Sequence, residues 1–469
     1  MTKNKIYDII DIVERGEKMS QYPGSLHNHT HFSNQTLRDC INTVESLMEL
    51  AVALGHECVA ITDHETISGY IKAEKYYKKI KERKPDFKLI RGNEIYLTRN
   101  GLTAKNYDKT KDRYFHFILL AKDLEGYKQI CQLSTRAWQR SYMSRRQRRR
   151  PTYYQDLKDI VKPNQGHLIA SSACLGSQLD KFLLRYMDTG DEEFYETAKR
   201  WCEYIVDIFG EGNFYLELQP SNNAEQIFVN KHLLKLSKEL GIKYIITTDS
   251  HYGRPADARV HEAFLNAQDG DREVKSFYAT TYMMKDEEVR EFLKYMSDDE
   301  IEAAYAAIRE IKDKCEDFSI LKPLKIPSLP WREFINHSND DLEYYIEKIP
   351  ELEKFIGSPH RADNMLVDAV VEGIMKHPDL QNEEAYKALN ECLEMTWESS
   401  QVNNAQWSAY FLNLQKIIDE CWNAGTLVMP ARGSGMGFVL LYALDIIQIN
   451  CLREKTRTYP WRLTDSIAS

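Results

Sequence analysis

The stretch CVAITDH, residues 58–64, is a short apolar, β-branched run that ends in a carboxylate and an imidazole. Between about residues 24 and 271, runs of this kind alternate with amphipathic segments such as 41–54, 67–83 and 224–240. Alternating strand and helix patterns predict a parallel sheet, here one of seven strands closed as a barrel. The predicted strands are 25–29, 58–62, 88–96, 115–121, 167–171, 214–218 and 243–248.

The composition is that of an ordinary globular protein, with 469 residues, 43% hydrophobic and 28% charged. The net charge of −9 means that any binding of nucleic acid must use a local patch. The first 20 residues lack the apolar core of a signal peptide, and no stretch approaches the length of a membrane helix. The nine cysteines contain no C-x-x-C pair, which favours reduced thiols. We therefore expect a cytoplasmic protein that does not enter a membrane.

Side chains able to bind metal stand at the ends of the predicted strands. His27 and His29 share one face of the first strand, residues 63–64 follow the second, and Asp249 and His251 follow the last. The carboxyl ends of the strands in a βα barrel meet at one face, so these groups should lie together. Two polar groups on one strand face need partners, which is hard to explain without a ligand. We interpret the pairs as a site for divalent metal ions.

Other candidates have a simpler interpretation as well. Glu94 lies at the end of the third predicted strand, His116 lies in the fourth, and Cys174 follows the fifth. A lone buried histidine or cysteine is more often a core residue, and a lone glutamate more often a solvated charge. We interpret five further histidines as structural: His31, His56, His167, His232 and His261.

The second half of the chain has a different pattern. After about residue 284 it is mostly helical and rich in Glu and Lys, with breaks at the prolines of 322–323, 327–330 and 358–359. We place a domain boundary between about residues 281 and 320. Residues 426–450 are apolar around a glycine-rich turn, PARGSGMG, at 430–437.

Together these motifs resemble the polymerase and histidinol phosphatase (PHP) domain, a distorted seven-stranded βα barrel that binds three metal ions. The motifs are LHNHT (26–30), ITDH (61–64), GNE (92–94), His116 before ILLAK (118–122), SACL (172–175) and DSHY (249–252). The resemblance implies nine ligands: His27, His29, Asp39, His64, Glu94, His116, Cys174, Asp249 and His251. It implies about three divalent ions, of zinc, manganese, iron or magnesium. We assign catalytic roles to Asp249, His251 and Asp63, the last by orienting the ligands from behind.

One branch of that family, the DNA polymerase III alpha subunit of bacteria and phages, resembles the chain most. Its features here are Cys174, LLAKDLEGY (119–127), DARVHE (257–262) and, in the helical part, AYFL (409–412). Residues 428–452 resemble the start of that polymerase's palm. The resemblance implies that a turn there holds the triphosphate of the incoming nucleotide through Arg432, Gly433, Ser434 and Gly437.

The resemblance implies a domain order: a leader at 1–20, the PHP phosphoesterase barrel at 21–285, and a helical polymerase region at 286–425. The start of an incomplete palm follows at 426–451, and a tail unlike the family at 452–469. The family continues into an acidic P-D-x-D-x-D run that holds the two metals of polymerisation, and residues 453–469 contain no such run. Because two-metal nucleotidyl transfer needs those carboxylates, we expect that this chain alone does not polymerise DNA.

Our hypothesis is an interrupted or split polymerase gene, with a second polypeptide or exon carrying the rest. A mass far above 54.8 kDa for the protein from its host would show that the rest is joined to this chain, whereas a second co-purifying polypeptide would support the split. The implied partners are DNA, as a primer–template or a single-stranded 3′ end, and replisome proteins.

A basic stretch interrupts this acidic chain. Seven arginines and no acid lie between residues 136 and 150, with Trp138 and Tyr142 among them. We predict DNA binding by phosphate contacts and base stacking, although runs of charge are often solvated surfaces that contact nothing. The predicted DNA-binding residues are Arg145, Arg146, Arg148, Arg149 and Arg150.

Three functions follow from this sequence. The first is the amino-terminal segment of a DNA polymerase III alpha-like enzyme whose PHP site acts as a 3′–5′ exonuclease. The second is a small-molecule phosphoesterase of the histidinol-phosphatase type. The helical region and the glycine-rich turn argue against this function. The third is a metal-stabilised module that supports a polymerase without catalysis, which ligand residues by themselves cannot distinguish from the first.

Overall fold

The computed structural model describes residues 22–36, 38–108, 112–144, 147–269, 278–327, 339–431, 433–454 and 459–461. The chain divides into two compact units, and the division falls between Leu321 and Lys322. All nine cysteines lie in the described residues and are free thiols. Among the helices of these residues, none is both long enough and apolar enough to cross a membrane.

The first unit is built on a curled, mixed sheet of seven strands. Its order is β1 (Cys58–Ile61), β2 (Lys88–Thr98), β3 (Phe115–Ala121), β7 (Leu168–Ser171), β8 (Phe214–Leu218) and β9 (Tyr244–Ile246), with β6 (Pro151–Tyr153) paired to β2. A separate hairpin consists of β4 (Tyr142–Ser144) and β5 (Gln147–Arg149). The strands are almost entirely buried, as expected from apolar runs.

An extended segment closes the sheet into a distorted barrel. On one side, Ala60 N donates to Ser25 O at 3.2 Å. On the other side, His29 N donates to Ser250 O at 3.0 Å, and Asn28 forms a parallel bridge with Ser250. The segment predicted as the first strand is therefore a connector with a single bridge, partly because the Asn28 side chain donates to the Ser25 and Ala60 carbonyls.

The prediction of a wholly parallel sheet was wrong at β3. This strand runs antiparallel to both β2 and β7, whereas the pairs β1–β2, β7–β8 and β8–β9 are parallel. The described part of the β2–β3 connection contains no helix to carry the chain back to the other end of the sheet, so β3 returns directly. As a consequence, the beginning of β3 lies next to the end of β2, with His116 opposite Tyr96.

Ten helices of the described residues surround this sheet. They are α1 (Val44–Ala53), α2 (Tyr70–Arg83), α3 (Leu124–Gln139), α4 (Tyr154–Ile160), α5 (Gln178–Thr189), α6 (Glu192–Phe209), α7 (Ala224–Leu240), α8 (Ala258–Asp269), α9 (Asp286–Phe292) and α10 (Asp298–Lys314). The Thr43 side chain caps α1 and the Asn223 side chain caps α7. Gly241 ends α7 with φ of 68°, a left-handed conformation that favours glycine.

Helices α9 and α10 pack into the barrel core, although the sequence pattern assigned them to the helical polymerase region. Val289, Ile301 and Ile308 are buried in the same apolar cluster as the strands. The division between the compact units falls after Leu321, and α9 and α10 belong to the first unit because these amphipathic helices bury their apolar faces on the barrel.

The second unit is helical, with its own apolar core. Its helices are α11 (Asn339–Lys348), α12 (Leu352–Ile356), α13 (Arg361–Lys376), α14 (Glu383–Asn403), α15 (Trp407–Asn423) and α16 (Val439–Ala443). Val370, Leu389, Phe411 and Leu440 are among its buried residues. Gly373 lies so close to the Ala443 carbonyl that a Cβ there would be 1.9 Å from its oxygen, so α13 and α16 make backbone contact through this glycine.

The glycine-rich turn precedes α16 as a short 3₁₀ helix, Gly433–Gly437. Gly433 has φ of 65° and is exposed, whereas Gly437 is buried. Ser434 is half-buried, and Arg432 lies outside the described residues. The turn thus presents part of its backbone to solvent, as its predicted role in binding a nucleotide requires.

Candidate metal centre

The nine predicted ligands lie together in the first unit. Sheet curvature and the closing segment bring them to one place, whether they follow a strand, like His64 after β1, or begin one, like His116 in β3. Glu94 lies in the middle of β2 rather than at its end. Eight of the nine are at most 2% exposed, and the His116 side chain, at 23%, marks the side open to solvent.

Three groups of side chains could each hold an ion, and the first consists of His27, His29 and Asp249. The two Nε2 atoms lie 3.1 Å apart. Each also lies 3.1 Å from Oδ1 of Asp249. The three ligand atoms thus surround a common point.

The second group consists of His29, His64 and His251. The ring centroid of His29 lies 4.1 Å from that of His64 and 4.5 Å from that of His251. Oδ2 of Asp39 approaches this group, at 3.0 Å from His64 Nε2 and 3.5 Å from His251 Nε2. Asp39 is therefore placed to complete it.

The third group consists of Glu94, His116 and Cys174. Nδ1 of His116 lies 2.6 Å from Glu94 Oε1 and 3.4 Å from Cys174 Sγ. The other Glu94 oxygen, Oε2, lies 3.4 Å from His29 Nε2 and also contacts His64. Glu94 thus joins the third group to the other two.

Several donor atoms of this cluster lack the hydrogen-bond partners that buried polar atoms usually have, and a metal ion could take their place. Buried polar atoms are nearly always hydrogen-bonded. Here Asp39 Oδ1, Asp249 Oδ1, His64 Nδ1 and both carboxylate oxygens of Glu94 are buried without a hydrogen-bond partner in the described part of the chain, even though some lie close to a neighbouring ring. Imidazole, carboxylate and one thiol are the ligands that zinc, manganese and iron take in proteins. The chemistry of this cluster therefore fits divalent metal ions.

The ionisation states of His29, Glu94 and Asp249 also favour the binding of metal ions. Burial, reinforced by the rings of His64 and His251, lowers the pKa of His29 to about 3, so this ring is neutral and able to bind metal. Burial opposes ionisation of Glu94, but the imidazoles of His116 and His64 outweigh it and hold its pKa well below the ordinary value. His27 has the same effect on the pKa of Asp249. The carboxylates are therefore ionised and attract cations.

Asp63 is not one of the nine predicted ligands, but its hydrogen bonds hold the segment that carries His29. Its carboxylate accepts hydrogen bonds from Thr30 N at 2.6 Å, Thr30 Oγ1 at 2.8 Å and Ser33 Oγ at 2.8 Å. Ser33 in turn contacts Nδ1 of His29 at 3.1 Å. Asp63 therefore fixes the turn that positions His29, in agreement with an orienting role.

Sequence reasoning missed Glu217. This fully buried residue accepts a hydrogen bond at 2.6 Å from His27 Nδ1, which leaves Nε2 of that ring directed at the first group. Thr247 Oγ1 at 2.6 Å and Ser171 Oγ at 2.5 Å hold the carboxylate in place. A single acid inside the apolar run FYLEL, residues 214–218, was the signal that could have identified it.

We predict that Glu217→Gln lowers the affinity for metal by about 10- to 100-fold, the usual cost of losing such an orienting carboxylate. The amide cannot accept from all three donors, so the His27 ring loses its fixed orientation. Isothermal titration of the metal-free protein with zinc measures the change. Glu57→Gln, which removes a surface ion pair with Arg309 and Lys312, is the matched control and should leave the affinity unchanged. Equal affinities for the two variants would contradict the role of Glu217.

The backbone is strained where it carries ligands. Three non-glycine residues of the described chain with positive φ lie at the candidate ligands: Glu65 (51°) follows His64, Ala173 (60°) precedes Cys174, and Asp249 (46°) is itself a candidate ligand. Each such conformation costs about 1–3 kcal/mol and persists where the surroundings enforce it, as at functional sites.

Arg150 corrects the prediction for the basic stretch. Its side chain is 2% exposed, lies 3.9 Å from the centre of the Trp138 ring and donates to Thr36 Oγ1. Thr36 Oγ1 in turn donates to the His64 carbonyl at 2.9 Å. DNA binding is therefore not supported for Arg150, because its guanidinium is buried as a support of the loop beside the metal centre. Arg145 and Arg146 lie outside the described residues.

Two known protein families match parts of this chain. Residues 25–221 match the PHP domain family, and residues 364–458 match the family described as the bacterial DNA polymerase III alpha NTPase domain. The first unit therefore contains a PHP domain.

Relatives of the whole chain are polymerases. The DNA-directed DNA polymerase of Bacillus phage SPbeta is 34% identical over 453 residues, which cover 90% of this chain and 34% of that protein. The DNA polymerase III subunit alpha of Helicobacter pylori strain 26695 is 29% identical over 91% of this chain and 33% of that protein. A solved structure described as a metal-dependent phosphoesterase from Bifidobacterium adolescentis covers 58% of this chain and 96% of that one, at 18% identity and a TM-score of 0.31. The chain is therefore homologous to a phage DNA-directed DNA polymerase and to bacterial DNA polymerase III alpha subunits, and it spans about a third of the length of these proteins.

Proposed function

We propose that this chain is the amino-terminal segment of a DNA polymerase III alpha-like enzyme, and that its PHP domain hydrolyses phosphodiesters as a 3′–5′ exonuclease. The observation that carries the proposal is the convergence of nine candidate ligands, eight of them buried, into three joined groups, with carboxylate oxygens that have no hydrogen-bond partner among the described residues. Many separate residues must be right for such a set to form, which favours a working site over a scaffold.

The nine predicted ligands would hold three metal ions. His27, His29 and Asp249 would hold one ion, His29, His64, His251 and Asp39 a second, and Glu94, His116 and Cys174 a third. Divalent ions so held neutralise the charge of a phosphodiester and activate a water for in-line attack.

The protein itself supplies position and access. Asp63 and Glu217 fix the rings of His29 and His27, and the open side at His116 is where a phosphodiester reaches the ions. The exposed backbone of Gly433, with Ser434, Gly437 and Arg432, would bind the triphosphate of an incoming nucleotide in the second unit. DNA, replisome proteins and the polypeptide with the remaining polymerase parts are the proposed partners, in the cytoplasm.

The experiment is a mismatch-removal assay. The chain is purified, its metals are counted by elemental analysis, and it is incubated with a 3′-labelled primer–template that carries a terminal mismatch. The test variant is Asp249→Ala/His251→Ala. The matched control is Asp123→Ala/His167→Ala, which removes an ion pair of the same residue types, 2.7 Å apart, away from the ligands. We expect metal-dependent loss of 3′ nucleotides in the wild type and the control, and none in the test variant.

Two results would contradict the proposal. Bound metal without hydrolysis of any phosphate ester would show a structural centre that supports a polymerase. Hydrolysis of histidinol phosphate without hydrolysis of DNA would show a small-molecule phosphatase.

A further inference from the structure

A surface of arginines and aromatic rings lies next to the open side of the metal centre. We call Arg148, Arg149, Tyr114 and Trp138 the arginine rim. Arg148 is exposed, the Arg149 guanidinium lies 4.9 Å from the centre of the Tyr114 ring, and Trp138 is 39% exposed. The rim therefore offers cationic and aromatic groups side by side.

The carboxylates of the described residues do not neutralise the charges of the rim. Arg136 and Arg140, in the same basic stretch, form ion pairs with Asp156. Within the described part of the chain, Arg148 and Arg149 form no ion pair. Nε of Arg149 is buried without a hydrogen-bond acceptor there. Arg148 Nη1 donates to Ser141 Oγ at 3.3 Å, but neither guanidinium group meets a carboxylate among the described residues.

The rim is attached directly to the ligands. Tyr114 precedes His116 by two residues, and two residues of chain span at most about 7 Å. Trp138 Nε1 donates at 3.0 Å to the carbonyl of Glu65, the residue after His64. β6, which follows Arg149 and Arg150, pairs with β2 beyond Glu94. The rim therefore borders the metal centre on the side where His116 is exposed.

We propose that the arginine rim binds single-stranded DNA and delivers its 3′ end to the metal centre. Planar guanidinium groups pair with phosphates through two parallel hydrogen bonds, and aromatic faces stack on bases of any sequence. The inference rests on the proposed function, since it names the surface that holds the substrate strand of the exonuclease.

The experiment separates binding from hydrolysis. Binding of a fluorescein-labelled 12-nucleotide oligothymidine with a free 3′ end is measured by anisotropy in EDTA, across a series of salt concentrations. The test variant is Arg148→Ser/Arg149→Ser. The control, Arg185→Ser/Arg200→Ser, removes the same charge from the exposed faces of α5 and α6. Hydrolysis of bis(p-nitrophenyl) phosphate, too small to need the rim, is measured with metal for each protein.

In the test variant we expect Kd to rise about tenfold at low salt. The negative slope of the logarithm of the association constant against the logarithm of the salt concentration should become shallower by about 1.4, because each phosphate contact on a single strand contributes about 0.7 to its magnitude. Hydrolysis of the small ester and the melting temperature should stay at wild-type values. A slope equal to that of the control would overturn the inference, whatever the hydrolysis. A shallower slope in the test variant, together with no hydrolysis of either ester by the wild type, would support the rim and overturn the exonuclease.

Discussion

Glu94→Gln should release more metal than the loss of a ligand that serves one group. The Glu94 carboxylate contacts all three groups, with Oε1 2.6 Å from His116 Nδ1 and 3.7 Å from His27 Nε2, and Oε2 3.4 Å from His29 Nε2. An amide removes the negative charge and directs N–H donors at the ions. We expect the loss of more than one ion per chain and a fall in phosphodiesterase kcat on the order of 10³-fold, the scale for removing one charge-stabilising group.

Elemental analysis and hydrolysis of bis(p-nitrophenyl) phosphate test this prediction. His116→Gln is the informative comparison, because His116 belongs to the third group alone and its loss should release one ion. Glu57→Gln controls for the chemistry of the substitution at a surface ion pair. If Glu94→Gln retains as much metal as His116→Gln, the three groups bind their ions independently, and Glu94 does not join them.

Five of the nine candidate ligands could be predicted from the residue pattern because each of these follows a local rule. Apolar, β-branched runs identify strands, and polar residues that share a face or follow a strand end need a ligand or a hydrogen-bond partner there. His27, His29, His64, Asp249 and His251 were found in this way, and the family resemblance added Asp39, Glu94, His116 and Cys174. The structure places all nine in one cluster.

The features that were missed depend on contacts between distant parts of the chain. The strand β3 has the same apolar pattern in either direction, so periodicity could not reveal that it is antiparallel. Glu217 meets His27 from 190 residues away. The burial of Arg150 depends on Trp138 and Thr36, which no run of charges reveals. The division after Leu321 likewise depends on the packing of α9 and α10 against the apolar core of the barrel.

Removal of the metal should destabilise the first unit strongly. Asp39, Glu94 and Asp249 are buried, and neighbouring imidazoles hold the pKa of each well below its ordinary value. Without cations, these carboxylates are balanced by the imidazoles alone, and four of their oxygens have no hydrogen-bond partner among the described residues. A ligand at 1,000 times its Kd stabilises the folded state by about 4.1 kcal/mol per site. Calorimetry with and without EDTA should therefore show a large decrease in melting temperature.

A charge-neutral variant shows whether the buried carboxylates are the cause. Asp39→Asn/Glu94→Gln/Asp249→Asn should not respond to EDTA, because it lacks the carboxylates that would bind the ions, and its free energy of unfolding in EDTA measures whether those carboxylates oppose folding when only imidazoles surround them. The control, Asp188→Asn/Glu196→Gln/Asp207→Asn, changes the same residue types on the exposed surface of the unit and should respond to EDTA like the wild type. If the neutral variant is the less stable protein in EDTA, the imidazoles alone compensate the carboxylates, and the cluster is a stable ion-pair network. If it is the more stable protein, the chain keeps charges that oppose its own folding, and a bound cation is the physical reason for them.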